Sequence, residues 1–278
     1  YREVPFDSIT PSVDAGFEVV CVPAMSGDMG MPNAANLTNV SDMTDAARAL
    51  PDDRCRGMVV CWWESFRILR DTHPLAVAYA GAAMENRKAL EPERFSCSFL
   101  AEYFGVDDPV AADALLELHR RAPEFTVLKA FYPAHATDFH ATLLEASSRD
   151  LEEERDAIQR CREALAHAAS SVESRREELG AYEIVAWIFE GALRNATDLQ
   201  AAHESFSAAA GAYEAHRRRE YVLDLLESSA ESVARIADRI IDTADAAERE
   251  WDRTRYPRDG KKDNSGEYMR PRSRRALV

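Results

Sequence analysis

VLDLLESSAESVARIADRIIDTADAA, residues 222–247, is the stretch on which the fold class turns. Its positions Val222, Leu226, Ser229, Val233, Ile236, Ile240, Thr243 and Ala247 step by 4, 3, 4, 3, 4, 3 and 4. Side chains three and four apart share one face of an α-helix, and alternating threes and fours keep that face aligned along a left-handed seam. A strand would instead alternate by two and meet a turn signal within about ten residues. The segment therefore predicts a helix, and its seam predicts a second helix to face it, with Ile236 and Ile240 at the centre of the contact.

Upstream, Leu151, Ile158, Leu165, Val172 and Leu179 recur at a spacing of seven, while their companions Glu154, Cys161, Ala168, Arg175 and Tyr182 are mixed. Residues 137–251 contain no proline and three glycines, Gly180, Gly191 and Gly211. This predicts two rods, residues 150–179 and, if unbroken, 197–251, about 45 and about 80 Å long at 1.5 Å per residue. Between them lies an apolar segment with Tyr182, Ile184, Val185, Trp187, Ile188, Phe189 and Leu193. It reads first as the buried centre of a bundle and second as a contact with a partner. Arg217, Arg218 and Arg219 fall mid-helix in this scheme. There they face either the acidic stretch 145–156, if the rods are antiparallel, or phosphate.

Nearer the N-terminus, proline cuts the chain into short helices. These are 42–50 capped by Ser41, a densely apolar 56–70, an alanine-rich one from Pro74 to about Leu90, 97–104 stopped by Gly105, and one opened by Asp108-Pro109 and running to Arg121. Residues 1–40 hold Pro5, Pro11, Gly16, Pro23, Gly27, Gly30 and Pro32, with a short strand expected at 17–22. The expected fold is all-α: a short-helix globular N-terminal unit followed by a bundle of long antiparallel helices with coiled-coil-like seams. Its divisions are an extended arm at 1–40, a globular helical domain at 41–136, the long-helix bundle at 137–251 and a basic flexible tail at 252–278.

The 278 residues carry a net charge of −15. Residues 252–278 contribute +5 and the remainder −20. A body this acidic repels phosphate over most of its surface, which excludes body-wide nucleic-acid binding and leaves RNA to the tail, where Arg272, Arg274 and Arg275 cluster. The cysteines Cys21, Cys55, Cys61, Cys97 and Cys161 form no CxxC pair and read as buried free thiols. Three sequons, at Asn36, Asn39 and Asn195, and a chain that starts at Tyr1 keep a processed or secreted origin open, although an intracellular location is favoured. The longest apolar runs, 58–63 and 184–189, are six residues each, far short of a membrane span.

Candidate chemistry is sparse. His135, Asp138 and His140, with Glu145 beyond, are suitable metal ligands, but histidines five apart do not share a helix face, and a capped helix start explains them as well. Met25, Met29 and Met31 near Cys21 could take Cu(I) but also suit gap-filling on apolar surface. No pair of Glu-x-x-His elements, aspartate-rich diphosphate motif, G-x-S-x-G elbow or phosphate-cradling glycine loop occurs, so no metal or cofactor is assigned. The expectation is a non-enzymatic α-helical structural or interaction protein, a subunit of a larger homo- or hetero-oligomeric assembly. Its expected contact residues are Ile236, Ile240, Trp187, Arg217, Arg218, Arg219, Arg272, Arg274 and Arg275. The alternatives are a nucleic-acid-packaging coat or nucleocapsid-type subunit and, further off, an all-α enzyme with an inter-helix pocket lined from 56–140.

Overall fold

The computed structural model describes residues 9–23, 37–51, 54–61, 69–85, 90–121 and 151–254. Of these, 81% are helical. The histidines 135 and 140, Asp138, Glu145, the three methionines of the 25–31 loop and the tail arginines 272, 274 and 275 lie outside the described residues, as do Asn36 and the apolar run 62–68.

Short elements come first. Helix α1 (Ile9–Asp14) ends on Gly16, whose φ of 88° lets its amide reach Val13 and lets Phe17 reach Ser12. Strand β1 (Val19–Cys21) then pairs in parallel with β2 (Cys55–Met58), Val19 beside Cys55 and Cys21 beside Met58. The strand expected at 17–22 is thus present, but residues 55–58 are strand where the apolar helix 56–70 was expected to begin. Pairing with β1 fixes this segment as strand, and Gly57 within it takes a φ of 144° that no helix uses. Cys21 is enclosed beside Cys55, and burial first, then that neighbour, push its thiol up to about 11. All five cysteines are free.

Helix α2 (Leu37–Arg48) starts before the expected cap, so Ser41 sits inside it with its hydroxyl 3.3 Å from that of Tyr79. Helices α3 (Pro74–Glu85), α4 (Pro92–Phe99) and α5 (Pro109–Arg121) each place proline at the first helical position, where no amide is needed. Pro92 therefore opens a helix five residues before the expected start at Cys97, and the preceding helix is described to Glu85. Asp108 caps α5 as expected, its Oδ1 accepting from the amides of Val110 at 2.9 Å and Ala111 at 3.2 Å. Helix α4 relaxes into a π turn at Leu100–Phe104 and stops at left-handed Gly105. The rings of Tyr79, Phe95, Phe99, Tyr103 and Phe104 stack through this corner at centroid distances from 4.9 to 6.4 Å.

Three long helices follow: α6 (Leu151–Ser171), α7 (Arg176–Glu214) and α8 (Arg219–Thr254). They run antiparallel, α6 against the first half of α7 and α8 along its whole length. The expected break points are corrected. The rod 150–179 ends at Ser171, and Leu179 belongs to the next helix. The rod 197–251 is cut at 215–218, which moves Arg217 and Arg218 from mid-helix to a turn and Arg219 to a helix start. Neither break uses glycine or proline. Arg175 and His216 take left-handed φ of 60° and 52°, and at the second break the His216 amide reaches Tyr213 and the Arg217 amide reaches Ala212, the two bonds of a Schellman stop.

One hydrophobic core joins α2, α3, α4 and α5 to α6 and the first half of α7, with Ala247 of α8 at its edge. The heptad row Leu151, Ile158, Leu165, Val172 and Leu179 is buried throughout, as is the segment around Tyr182, Val185, Ile188, Phe189 and Leu193 at the middle of the bundle.

Candidate protein-interaction surface

Helices α7 and α8 meet along a seam that can be followed contact by contact. Gly191 lies 3.6 Å, measured from an ideal Cβ, from the Thr243 methyl; the Arg239 Nε donates to the Asn195 Oδ1 at 2.8 Å; and the Ser229 hydroxyl donates to the Ala202 carbonyl at 2.9 Å. The seam on α7 is therefore Ile188, Gly191, Asn195, Asp198, Ala202, Ser205, Ala209 and Ala212, stepping by 3, 4, 3, 4, 3, 4 and 3. On α8 the inner positions are Val222, Leu225, Ser229, Ser232 and Ile236. Ile236 is 8% exposed and Ile240 half-buried, so both lie at or beside the contact. Leu226 and Val233, expected in the seam, are instead 38% and 51% exposed, and their predecessors Leu225 and Ser232 take the inner places. Small Ala202, Ala209 and Ala212 opposite let the backbones approach, and serine fits that gap better than valine.

The inner edge is clamped where the core ends. Asp198 accepts from Arg235 at 3.0 Å and from Arg239, and Arg235 also donates to the Ser232 hydroxyl at 2.9 Å. Burial opposes ionisation of Asp198, but the two guanidiniums outweigh it and hold its carboxyl below the usual range. Asn195, 4% exposed and engaged with Arg239, offers no amide to a glycan, which removes that sequon from the reckoning.

Beyond this clamp, residues 200–235 form a distal hairpin. Helix α6 pairs with α7 below it, and most of the side chains that the hairpin turns outward are exposed. Each seam residue is followed by a position rotated about 100° around its helix. In an antiparallel pair these following positions turn to the same side of both helices, because reversing the chain reverses both the rotation and the facing direction. On α7 they read Val185, Phe189, Ala192, Ala196, Leu199, His203, Phe206, Ala210 and Tyr213. The first four are buried in the core; Phe206 and Tyr213 are 58% and 74% exposed. On α8 they read Leu223, Leu226, Ala230, Val233 and Ala237, all exposed. The core-facing stripe thus continues past the end of the core and comes out into solvent as a two-helix apolar face. Along the outer edge of α8 run exposed Asp224, Glu227, Glu231 and Asp238, while the tip carries exposed His216, Arg217, Arg218 and Arg219.

The expected pairing of those arginines with the acidic start of α6 is not made. Glu152 and Asp156 meet Arg155 instead, and the tip lies some 18 residues of helix, about 27 Å, beyond the level of α6. Trp187 lies below the hairpin, half-buried, with the Arg162 guanidinium 5.3 Å from its ring. Arg162 also reaches Glu190, which is buried and held by Arg194 as well, at 2.8 and 2.5 Å. This residue is committed to joining α6 and α7.

No family model matches the chain, and neither a curated protein nor a solved structure shows significant similarity to it.

Two cavities bear on the enzyme alternative. One of about 400 Å³ lies between α2, β2 and α3, lined by Thr44, Arg48, Cys55, Met58 and Met84. Another of about 370 Å³ opens where α6, α7 and α8 meet, lined by Arg162, Glu183, Trp187, Arg249, Glu250 and Arg253. Arg253 bonds Glu250, Asp71 and Glu177, which ties the end of α8 to α7 and to the turn before α3. Burial raises the Glu250 carboxyl above its ordinary range, against the pull of Arg253. His119, fully buried, has Nδ1 2.7 Å from the Leu115 carbonyl and Nε2 3.3 Å from that of Thr72, and burial lowers its basicity. These groups brace packed elements. Among the described residues no group of three or more His, Cys, Asp or Glu is placed to hold a metal ion, and no helix is long and apolar enough to cross a membrane.

Proposed function

We propose that the protein is a non-enzymatic helical subunit of a larger assembly and that the distal hairpin is its attachment element. The observation that carries this reading is the apolar stripe that leaves the core at Leu199 and continues through Phe206, Tyr213, Leu226 and Val233 in solvent. An amphipathic face kept in register over two antiparallel helices is suited to packing against further helices. A contiguous apolar patch bordered by charge is the usual form of a protein-binding surface.

A second reading, a nucleic-acid coat-type subunit, draws on the three consecutive arginines at the tip. The acidic edge of α8 works against phosphate along the rest of the hairpin. One experiment addresses both. The chain is sedimented in a gentle extract of its source, with and without ribonuclease, beside an Ile236→Asp variant whose unpaired charge opens the α7–α8 seam. The proposal expects the parent in a complex well above the 31.1 kDa of one chain, insensitive to nuclease and lost in the variant. Collapse of the complex on nuclease treatment transfers support to the coat-type reading. A parent that sediments as a single chain, or a variant that stays in the complex, overturns the proposal.

A further inference from the structure

We infer that the partner of the distal hairpin is a second copy of this chain, docked antiparallel so that two hairpins complete a four-helix bundle. This rests on the assembly reading above and adds the identity and direction of the partner.

Self-pairing follows from the shape of the face. It is two helices wide and about 25 Å long, taking α7 from residue 200 and α8 to residue 235 at 1.5 Å per residue. Its large side chains are Phe206 and Tyr213 on α7 and Leu223, Leu226 and Val233 on α8, with small Ala210 and Ala230 between them. A two-fold axis lying in the plane of such a face, across its middle, sets Phe206 of one copy near Ala210 of the other and the Leu223 and Leu226 pair against the same pair of the other, so the patch meets itself as an isologous contact requires. The two-helix layer formed by α7 and α8 is then doubled, as in an ordinary antiparallel bundle.

Charge fixes the direction. The only basic cluster on the hairpin is at its tip, Arg217, Arg218 and Arg219, and the acids Asp224, Glu227, Glu231 and Asp238 follow one edge of α8 toward the base. Parallel docking would set six arginines side by side at one end of the bundle. Antiparallel docking lays each tip beside Glu231 and Asp238 of the other copy, so the attraction recurs at both ends. These pairs are exposed and screened by salt, so they select orientation more than they set strength.

The test is sedimentation equilibrium of the purified full chain from about 1 to about 50 µM, a range that brackets weak and moderate self-association. Three variants accompany it: Leu226→Glu with Val233→Glu on the apolar face; Arg217, Arg218 and Arg219 each to Glu at the tip; and that reversed tip combined with Glu227, Glu231 and Asp238 each to Lys. The substituted positions are exposed, so helicity by circular dichroism should match the parent. The inference expects a parent dimer, a face variant that is monomeric across the range, a reversed-tip variant dissociating at least tenfold more readily at low salt, and recovery to within threefold of the parent when the edge is reversed as well. A parent that is monomeric at 50 µM overturns it, whatever covers the face instead. So does a face variant that still dimerises, and a charge swap without rescue removes the antiparallel arrangement. If the parent is monomeric here but remains in a large complex that needs the hairpin in extract, self-pairing fails while the assembly reading stands.

Discussion

The lower half of α7, up to Leu199, and its upper half, from Gln200 to Glu214, belong to one unbroken helix with one apolar stripe, yet they live in different solvents. Phe189 and Phe206 occupy equivalent places in that stripe, and the first is fully buried while the second is 58% exposed. The seam composition changes with them. Below the clamp at Asp198 the core brings Tyr182, Val185, Ile188, Phe189 and Leu193 together, and above it Ala202, Ala209 and Ala212 face Val222, Leu225, Ser229, Ser232 and Ile236. The lower half stands on burial from several sides, whereas the upper half rests on a thin two-helix contact. Periodicity shows which residues share a face, but not how far the cover over that face extends.

Truncating each phenylalanine gives the largest expected difference between the halves. Phe189→Ala opens a cavity in the core and should cost about 3 to 5 kcal/mol. Phe206→Ala should leave the dissociated chain within about 0.5 kcal/mol of the parent, as exposed sites do. Urea unfolding at low micromolar concentration measures both. Equal losses would mean that the upper face is covered, and the contrast between the halves would disappear.

A smaller effect sharpens the account within the upper half. Leu225→Ser removes an inner side chain and should destabilise the dissociated hairpin by about 1 kcal/mol, while Leu226→Ser should change it by less than about 0.5 kcal/mol. The reverse order would restore the seam through Leu226 and Val233 that the spacing alone suggests.

That pair of leucines shows where sequence reading reaches its limit. Steps of four and three fit Val222, Leu226, Ser229, Val233 and Ile236, and they fit Val222, Leu225, Ser229, Ser232 and Ile236 with the steps interchanged. Hydrophobicity prefers the first set, and the small residues facing it on α7 select the second. Long helices, the Asp108 cap, the prolines that open α3 and α5 and the buried row Leu151, Ile158 and Leu165 of α6 were legible because each depends on local backbone chemistry or on a repeat within one helix. The stops at Arg175 and His216 were not, since both use left-handed residues that carry no glycine signal. The strand at 55–58 was hidden because its pairing partner lies more than thirty residues earlier. Ile236 could be placed from its spacing alone. The apolar face with Phe206, Tyr213 and Val233 could not, since it is defined by where α6 ends relative to α7, which is a property of the packing.

Hydrogen exchange across residues 176–254, measured at about 1 and about 50 µM protein, tests the central claim most directly, because amide protection reports local opening segment by segment. The account predicts strong protection at 179–196 at both concentrations, and protection at 202–213 and 222–235 that is weak in the dilute sample and rises at least tenfold in the concentrated one. Protection of 202–235 that is equally strong at both concentrations would contradict it, because the hairpin would then be complete within a single chain.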